Sequence, residues 1–117
     1  MKQYIYADNA ATTKLDKAAF ESMIPWLLEE YGNASQPYAF ARKPKKAIAD
    51  ARATIAECIG ALPEEIYFTS GGTEADNWAL QMAAAAGARI GKKHIIVSAI
   101  EHHAVLNPAK SLERQGI

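Results

Sequence analysis

The sequence changes from an extended segment to a helix along Ile66-Tyr67-Phe68-Thr69-Ser70-Gly71-Gly72-Thr73-Glu74-Ala75-Asp76-Asn77-Trp78. Residues 66–69 are β-branched or aromatic, and these side chains favour a strand. Gly71 and Gly72 then allow a turn, and a helix is predicted from Thr73. This run therefore predicts one strand–turn–helix unit, with further elements before and after it in the chain.

A strand that passes through a glycine turn into a helix creates a place where an anion can bind. The first backbone N–H groups of a helix have no partner inside it, and the helix dipole adds partial positive charge there. Glycines let a phosphate approach closely, and the Thr73 hydroxyl offers a further donor. Gly and Thr are equally common where a loop only turns and caps a helix, so both interpretations stay open. The run matches neither a Walker loop nor G-x-G-x-x-G.

The composition indicates one domain or part of one, without a polyionic partner. The chain has 117 residues, half of them hydrophobic, and 13 Lys and Arg balance 13 Asp and Glu. This balance provides no electrostatic footprint for nucleic acid and no basic patch for a membrane. The single cysteine, Cys58, excludes an intrachain disulfide and fits a reducing cytoplasm, the location we expect. Residues 78–90 are too short to cross a bilayer, and residues 1–8 contain no apolar signal region.

Two helices are predicted before the central run. Asp16 is a favourable N-cap for the first, and Pro25 is expected to kink or divide it. The second is predicted from about Tyr38 to Ile59, with Gly60 as its C-terminal cap. Cys58 lies on the apolar stripe of this second helix, so a small buried hydrophobe is a better interpretation than a nucleophile.

A second strand is predicted at residues 95–98, after the helix that begins at Thr73 and ends near Gly87. A short helical turn at 101–106 and a last helix from Pro108 follow it. Because a helix separates the two predicted strands, we expect them to be parallel strands of one sheet and not hairpin partners.

Ligands of parallel sheets bind beyond the carboxyl ends of the strands. Gly72 and Thr73 follow the first predicted strand, and His102 and His103 follow the second. We therefore expect a phosphate cradle and a pair of histidines to converge at one edge. Two histidines without a nearby cysteine are weak evidence for a metal site, and no metal is predicted.

Four motifs in order resemble the cysteine desulfurases, which belong to the class V group of pyridoxal-phosphate enzymes. The resemblance extends over essentially all 117 residues. The motifs are Tyr6-Ala7-Asp8-Asn9-Ala10-Ala11-Thr12-Thr13, Gly32-Asn33-Ala34-Ser35, Phe68-Thr69-Ser70-Gly71-Gly72-Thr73-Glu74-Ala75-Asp76-Asn77 and Glu101-His102-His103-Ala104-Val105-Leu106.

The resemblance implies an α/β fold and a role for particular residues. Residues 1–117 would form the N-terminal part of the fold-type-I (aspartate-aminotransferase-like) large domain, a parallel βαβα unit preceded by helices. Gly72 and Thr73 would hold the phosphate of pyridoxal 5'-phosphate, and His102 would stack over the pyridine ring and help proton transfer. The loops at 8–13 and 32–35 would help to wall the substrate site.

The resemblance also implies an activity and partners. Cysteine desulfurases remove sulfur from L-cysteine, giving alanine and an enzyme-bound persulfide for iron-sulfur cluster or thio-cofactor assembly, and the cofactor supplies the electron-sink chemistry. A homodimer and a sulfur-acceptor scaffold protein are the implied macromolecular partners.

The sequence departs from the family in two local features and in length. Residues 32–36 contain Gly-Asn-Ala-Ser-Gln in place of Gly-Asn-Pro-Ser-Ser, and Tyr38 stands where many members have histidine. Family members are several times longer, and their cofactor-binding lysine, the acid that pairs with the pyridine nitrogen and the persulfide cysteine come later. Lys92, Lys93 and Lys110 do not match the family's lysine motif. Cys58 does not match its cysteine motif. We therefore expect an N-terminal fragment that is inactive alone.

Two alternatives stay open at this point. One is a selenocysteine lyase or another class V enzyme, because the distal cysteine loop that would discriminate them is not in this sequence. The other is a non-catalytic dimerising piece, because an incomplete sheet exposes edges and apolar faces that favour pairing.

Overall fold

The computed structural model describes residues 4–117. The expectation of no signal region at residues 1–8 therefore lies partly outside the described residues. The chain divides into two compact units, one that extends to Ile66 and one from Tyr67 to Ile117, and each is described by itself. The α-helices are α1 (Lys17–Leu28), α2 (Arg42–Ile59), α3 (Gly72–Arg89) and α4 (His103–Glu113), and short 3₁₀ turns occur at Ala39–Ala41 and Pro63–Glu65.

Helix α1 in the first unit begins where the sequence predicts. The Asp16 carboxylate accepts hydrogen bonds from the N–H groups of Ala18 (2.8 Å) and Ala19 (3.1 Å), which confirms the predicted N-cap. Of the two effects expected of Pro25, the division of the helix is wrong, because α1 continues through it to Leu28, and the kink stays a prediction. A proline removes the hydrogen bond of its own N–H and its ring crowds the carbonyl four residues earlier. Pro25 stands so close to the end of α1 that few later turns depend on this hydrogen bond.

Helix α2 ends as predicted and begins slightly later than predicted. Its regular part starts at Arg42, after the 3₁₀ turn, and Gly60 adopts a left-handed φ of +68° at its C-terminus. The N–H of Ala61 donates to the Ala56 carbonyl at 2.9 Å, which closes the helix end. The Arg52 Nε donates to the Ile66 carbonyl at 3.0 Å, so α2 holds the segment that leads out of this unit.

The predicted burial of Cys58 is wrong, since this side chain is exposed. Its neighbours on the apolar stripe are also open to solvent, with Ile55 41% and Ile59 68% exposed. Helical spacing correctly identifies which side chains share a face. It does not indicate whether another element covers that face, and the burial prediction fails at this step.

The second unit consists of α3 packed against α4. Its buried side chains are Ala84 on α3 and Ala104, Pro108 and Leu112 on α4. The predicted break between a turn at 101–106 and a separate helix from Pro108 is wrong, because α4 is one helix with Pro108 inside it. Small buried side chains allow the two helices to approach closely, and this approach provides a hydrogen bond that compensates for Pro108.

The two predicted strands are unconfirmed. None of residues 4–117 is assigned to a strand, and the segments 66–69 and 95–98 are irregular. A strand requires a neighbour that exchanges backbone hydrogen bonds with it, and these segments do not pair with each other in the structure. Ile96 is 92% exposed, whereas the Tyr67 ring packs edge-on against Trp78 of α3 with centroids 5.2 Å apart.

Among residues 4–117, no helix combines the length and the apolar composition that crossing a membrane would need.

Candidate functional site

The N-terminus of α3 presents backbone donors to open space. Gly71, the N-cap, has extended backbone (φ 164°, ψ 177°) and no side chain that could cap the helix. The N–H groups of Gly72 and Thr73 are in the first turn, where no helical acceptor exists, and within residues 4–117 no side chain accepts from them. A Cβ placed on Gly71 or Gly72 would meet nothing within 4 Å, so an anion has room to approach this turn.

Glu74 fixes the shape of the turn before α3. One of its carboxylate oxygens accepts from the Ser70 N–H at 2.6 Å and from the Ser70 hydroxyl at 2.7 Å. These hydrogen bonds lower the pKa of the Glu74 carboxyl below its ordinary value of 4.5, and the bond from the backbone N–H has the larger effect. Because Glu74 occupies the Ser70 donors, a ligand at this turn would meet the donors of the residues after Ser70, which include those of Gly72 and Thr73.

His102 is the N-cap of α4, and this role selects the tautomer of its neutral ring. Its Nδ1 accepts a hydrogen bond from the Ala104 N–H at 3.1 Å. An atom that accepts from an amide N–H cannot bear a proton, so the neutral ring has its proton on Nε2. His102 is exposed and its ring centroid lies 6.1 Å from that of His103.

Asn77 joins the two helices. Its side-chain nitrogen donates to the Thr73 carbonyl at 2.8 Å within α3 and to the Ala104 carbonyl at 3.2 Å on α4. Ala104 is 5% exposed, and its carbonyl would normally accept from the residue four positions later. That residue is Pro108, which has no N–H. Asn77 thus supplies the donor that Pro108 cannot.

The predicted residues on α3 and α4 come together at one cavity of the second unit. This cavity has a volume of about 450 Å³, and Thr73, Asn77, His102 and His103 are among its lining residues. Gly72 immediately precedes Thr73 in the first turn of α3. Thr73 and the two histidines that the sequence singled out therefore lie on the same side of the α3–α4 pair.

The role of Asn77 is the feature that sequence reasoning missed. The sequence contained a signal, since Pro108 stands four residues after Ala104 and leaves a helical carbonyl without its donor. What the sequence did not contain was the identity of the substitute donor, because Asn77 and Ala104 are 27 residues apart.

The other two predicted site loops belong to the first unit. In the loop at 8–13, the Ala11 N–H donates to the Asp8 carbonyl at 3.1 Å. In the loop at 32–35, the Asn33 side-chain oxygen accepts from the Ser35 N–H at 2.9 Å, which forms an Asx turn. Both loops are ordered by their own side chains and backbone. Residues 4–117 contain no group of three or more His, Cys, Asp or Glu placed to hold a metal ion.

Comparison with known proteins gives consistent matches over nearly the whole chain. Residues 5–117 match the family described as aminotransferase class-V. A cysteine desulfurase IscS of Dictyoglomus turgidum (strain DSM 6724 / Z-1310) is 50% identical over 116 residues, 99% of this chain and 29% of that protein. A putative cysteine desulfurase IscS 1 of Bacillus subtilis (strain 168) is 48% identical over 112 residues, 96% of this chain and 29% of that protein. The chain thus spans less than a third of the length of these curated relatives.

Solved structures resemble the chain in backbone as well as in sequence. A NifS-like protein superposes with a TM-score of 0.85 at 37% identity, covering 94% of this chain and 30% of the other. A structure titled SspA in complex with cysteine gives a TM-score of 0.84 at 41% identity, covering 96% and 32%. These similarities are consistent with the fold-type-I class of pyridoxal-phosphate enzymes.

Proposed function

This chain belongs to the aminotransferase class-V family, and on that basis we propose that it supplies the phosphate-binding turn and the ring-stacking histidine of a cysteine desulfurase. The observation that carries the proposal is the cavity shared by Thr73 and His102. Two further facts support the choice of substrate: the relatives that are half identical are named cysteine desulfurases, and one similar structure is titled as a complex with cysteine.

The family generally depends on pyridoxal 5'-phosphate, and the residues of this chain fit its phosphate group. The first turn of α3 offers the N–H groups of Gly72 and Thr73 at the positive end of the helix dipole. The space around both glycines is open, and the Thr73 hydroxyl can donate a further, charge-assisted hydrogen bond. In the proposed site, Gly72 and Thr73 bind the phosphate dianion and so orient the cofactor.

His102 would act on the substrate side of the same site. When bound, the cofactor supplies an electron sink for bonds broken at the substrate Cα. The His102 ring would lie over the pyridine ring, and the Ala104 N–H bound to Nδ1 keeps the exchangeable proton on Nε2. His102 therefore holds or donates one proton at a defined atom, while its N-cap hydrogen bond restricts rotation of the ring.

The remaining assignments are part of the same proposal. We propose that residues 1–117 correspond to the N-terminal part of a fold-type-I large domain, in which the segments 66–69 and 95–98 pair with further strands as a parallel βαβα unit. Lys92, Lys93 and Lys110 do not match the family's cofactor-binding lysine, and Cys58 does not match its persulfide cysteine. A homodimer, a sulfur-acceptor scaffold protein and a cytoplasmic location stay predictions.

The test uses the full-length gene product, purified and loaded with pyridoxal phosphate. We expect a cofactor absorbance that follows the protein and release of alanine from L-cysteine in the presence of a thiol. Free cofactor reacts slowly with cysteine, so a protein-free sample is the control. Equal alanine formation in both samples would contradict the proposal, and turnover confined to selenocysteine would favour the lyase alternative.

A further inference from the structure

We propose that Asn77 is a positioning residue, which holds His102 in place against the phosphate-binding turn of α3. A continuous set of hydrogen bonds supports this role. The Asn77 amide donates to the carbonyls of Thr73 and Ala104, and the N–H of Ala104 donates to His102 Nδ1. One side chain thus connects Thr73, a residue of the proposed phosphate site, to Ala104, the residue whose N–H orients the histidine.

The position of Asn77 makes this connection hard to replace. Its single amide nitrogen has two hydrogens, and each is used on a different helix. Ala104 is buried and Pro108 cannot donate to its carbonyl. Removal of the amide therefore leaves a buried acceptor without a partner and also removes the tie between α3 and α4 at the cavity that Thr73 and His102 share.

These two consequences are separable by a substitution at Pro108. Pro108→Ala restores a backbone N–H four residues after Ala104, so the carbonyl regains a helical donor. It does not restore a bond between α3 and α4. In the double variant Asn77→Ala/Pro108→Ala, the restored N–H replaces Asn77 as the donor to the Ala104 carbonyl, so a purely structural role of Asn77 is compensated. The bond between α3 and α4 is still missing, so a positioning role is not compensated.

The inference rests on the proposed function for the activity of His102, but part of its test is independent of activity. The probe is inorganic phosphate, titrated into the cofactor-free, full-length gene product while the side-chain ¹⁵N signals of His102 are followed by NMR. We expect phosphate at the α3 N-terminus to shift the His102 signals in the unsubstituted protein. We expect a smaller shift in the double variant, whose thermal stability should be close to that of Pro108→Ala alone.

The activity arm measures kcat for alanine formation and the affinity for pyridoxal phosphate. We expect kcat of the double variant to fall by about 10- to 100-fold, the loss typical of a small misplacement of a reacting group, with cofactor affinity unchanged. Gln115→Ala is the matched control, because the Gln115 side-chain amide also donates to a backbone carbonyl, that of Ser111 at 3.2 Å, but Gln115 is exposed and does not line the cavity. It should leave both the NMR response and kcat unchanged.

Recovery of the phosphate response and of kcat in the double variant would overturn the inference, because it would make Asn77 a structural donor alone. The absence of any His102 response to phosphate in the unsubstituted protein would overturn it as well. If the unsubstituted protein forms no alanine, the proposed function fails, and the comparison of NMR responses then decides the positioning role by itself.

Discussion

The N–H of Ala104 donates a hydrogen bond to Nδ1 of His102 at 3.1 Å, so the first turn of α4 selects which nitrogen of the ring bears the proton. The same contact makes His102 the N-cap of α4. A substitution at His102 is therefore expected to change the stability of α4 as well as the proposed proton exchange, and a useful variant must separate the two effects.

His102→Asn provides this separation. Asparagine is a good N-cap and keeps an acceptor for the Ala104 N–H, but its amide does not exchange protons as imidazole does. We expect the melting temperature to change little and kcat for alanine formation to fall by about 10²–10⁴-fold. His103→Asn is the matched control and should keep most of the activity. The reverse result, with His103 required and His102 dispensable, would refute the assignment.

Thr73→Val should weaken the binding of pyridoxal phosphate and leave the fold intact. The variant removes one hydroxyl donor to a charged acceptor, which costs about 1.5–3 kcal/mol, and the helical backbone is unaffected. Equilibrium titration of the cofactor against the full-length gene product measures this loss. Thr54→Val is a control of equal chemistry, because its hydroxyl donates only to the Asp50 carbonyl in α2. Equal affinities in the two variants would argue against a phosphate at Thr73.

Glu74 should make the turn before α3 sensitive to acid. The hydrogen bonds from Ser70 lower the pKa of Glu74 in the folded chain below the ordinary 4.5, so the folded state favours the ionised form. The resulting stabilisation is complete above pH 4.5 and is lost as the pH falls through the lower, folded-state pKa. NMR titration of the Glu74 carboxyl carbon should give this lowered pKa, and Ser70→Ala should return it toward the ordinary value. A pKa of 4.5 or higher in the unsubstituted protein would contradict the Ser70 contacts.

The 117-residue chain expressed alone should not release alanine from L-cysteine above the rate of free cofactor. None of its lysines matches the family's covalent cofactor site, and many of its large apolar side chains are exposed. Cys58 is exposed, so the expected inactivity rests on the missing lysine motif and not on burial of the thiol. The assay compares alanine and sulfide with a protein-free sample. Turnover above that background, abolished by His102→Asn, would mean that this chain is an enzyme by itself.

The sequence predicted the helices well because their signals are local. Asp16 as an N-cap and Gly60 in the left-handed region follow from the chemistry of one residue and its neighbours. The wrong helix divisions at Pro25 and Pro108 have one cause, since a helix can continue through a proline where its end is near or where a neighbouring side chain supplies a donor. The strand segments could not be judged in the same way, because a strand is stabilised by whatever lies beside it.

The sequence predicted individual residues of the candidate site but not the hydrogen bonds that connect them. Thr73 and His102 were recognisable from residue type and motif, and they line one cavity, although their roles stay predictions. The link through Asn77 depends on the packing of α3 against α4, which no local pattern specifies. The exposure of Cys58 was missed for the same reason, since burial depends on what covers a helix face.

The hydrogen bond between Asn77 and Ala104 spans 27 residues of sequence, and this has a consequence for the order of events during folding. Closing a loop of this length has a modest entropic cost, because that cost grows only slowly with the length of the loop. During synthesis on the ribosome, the turn before α3 and His102 can therefore be brought together as soon as α4 has emerged. The halves of the proposed site would then be assembled before any later part of the polypeptide takes part.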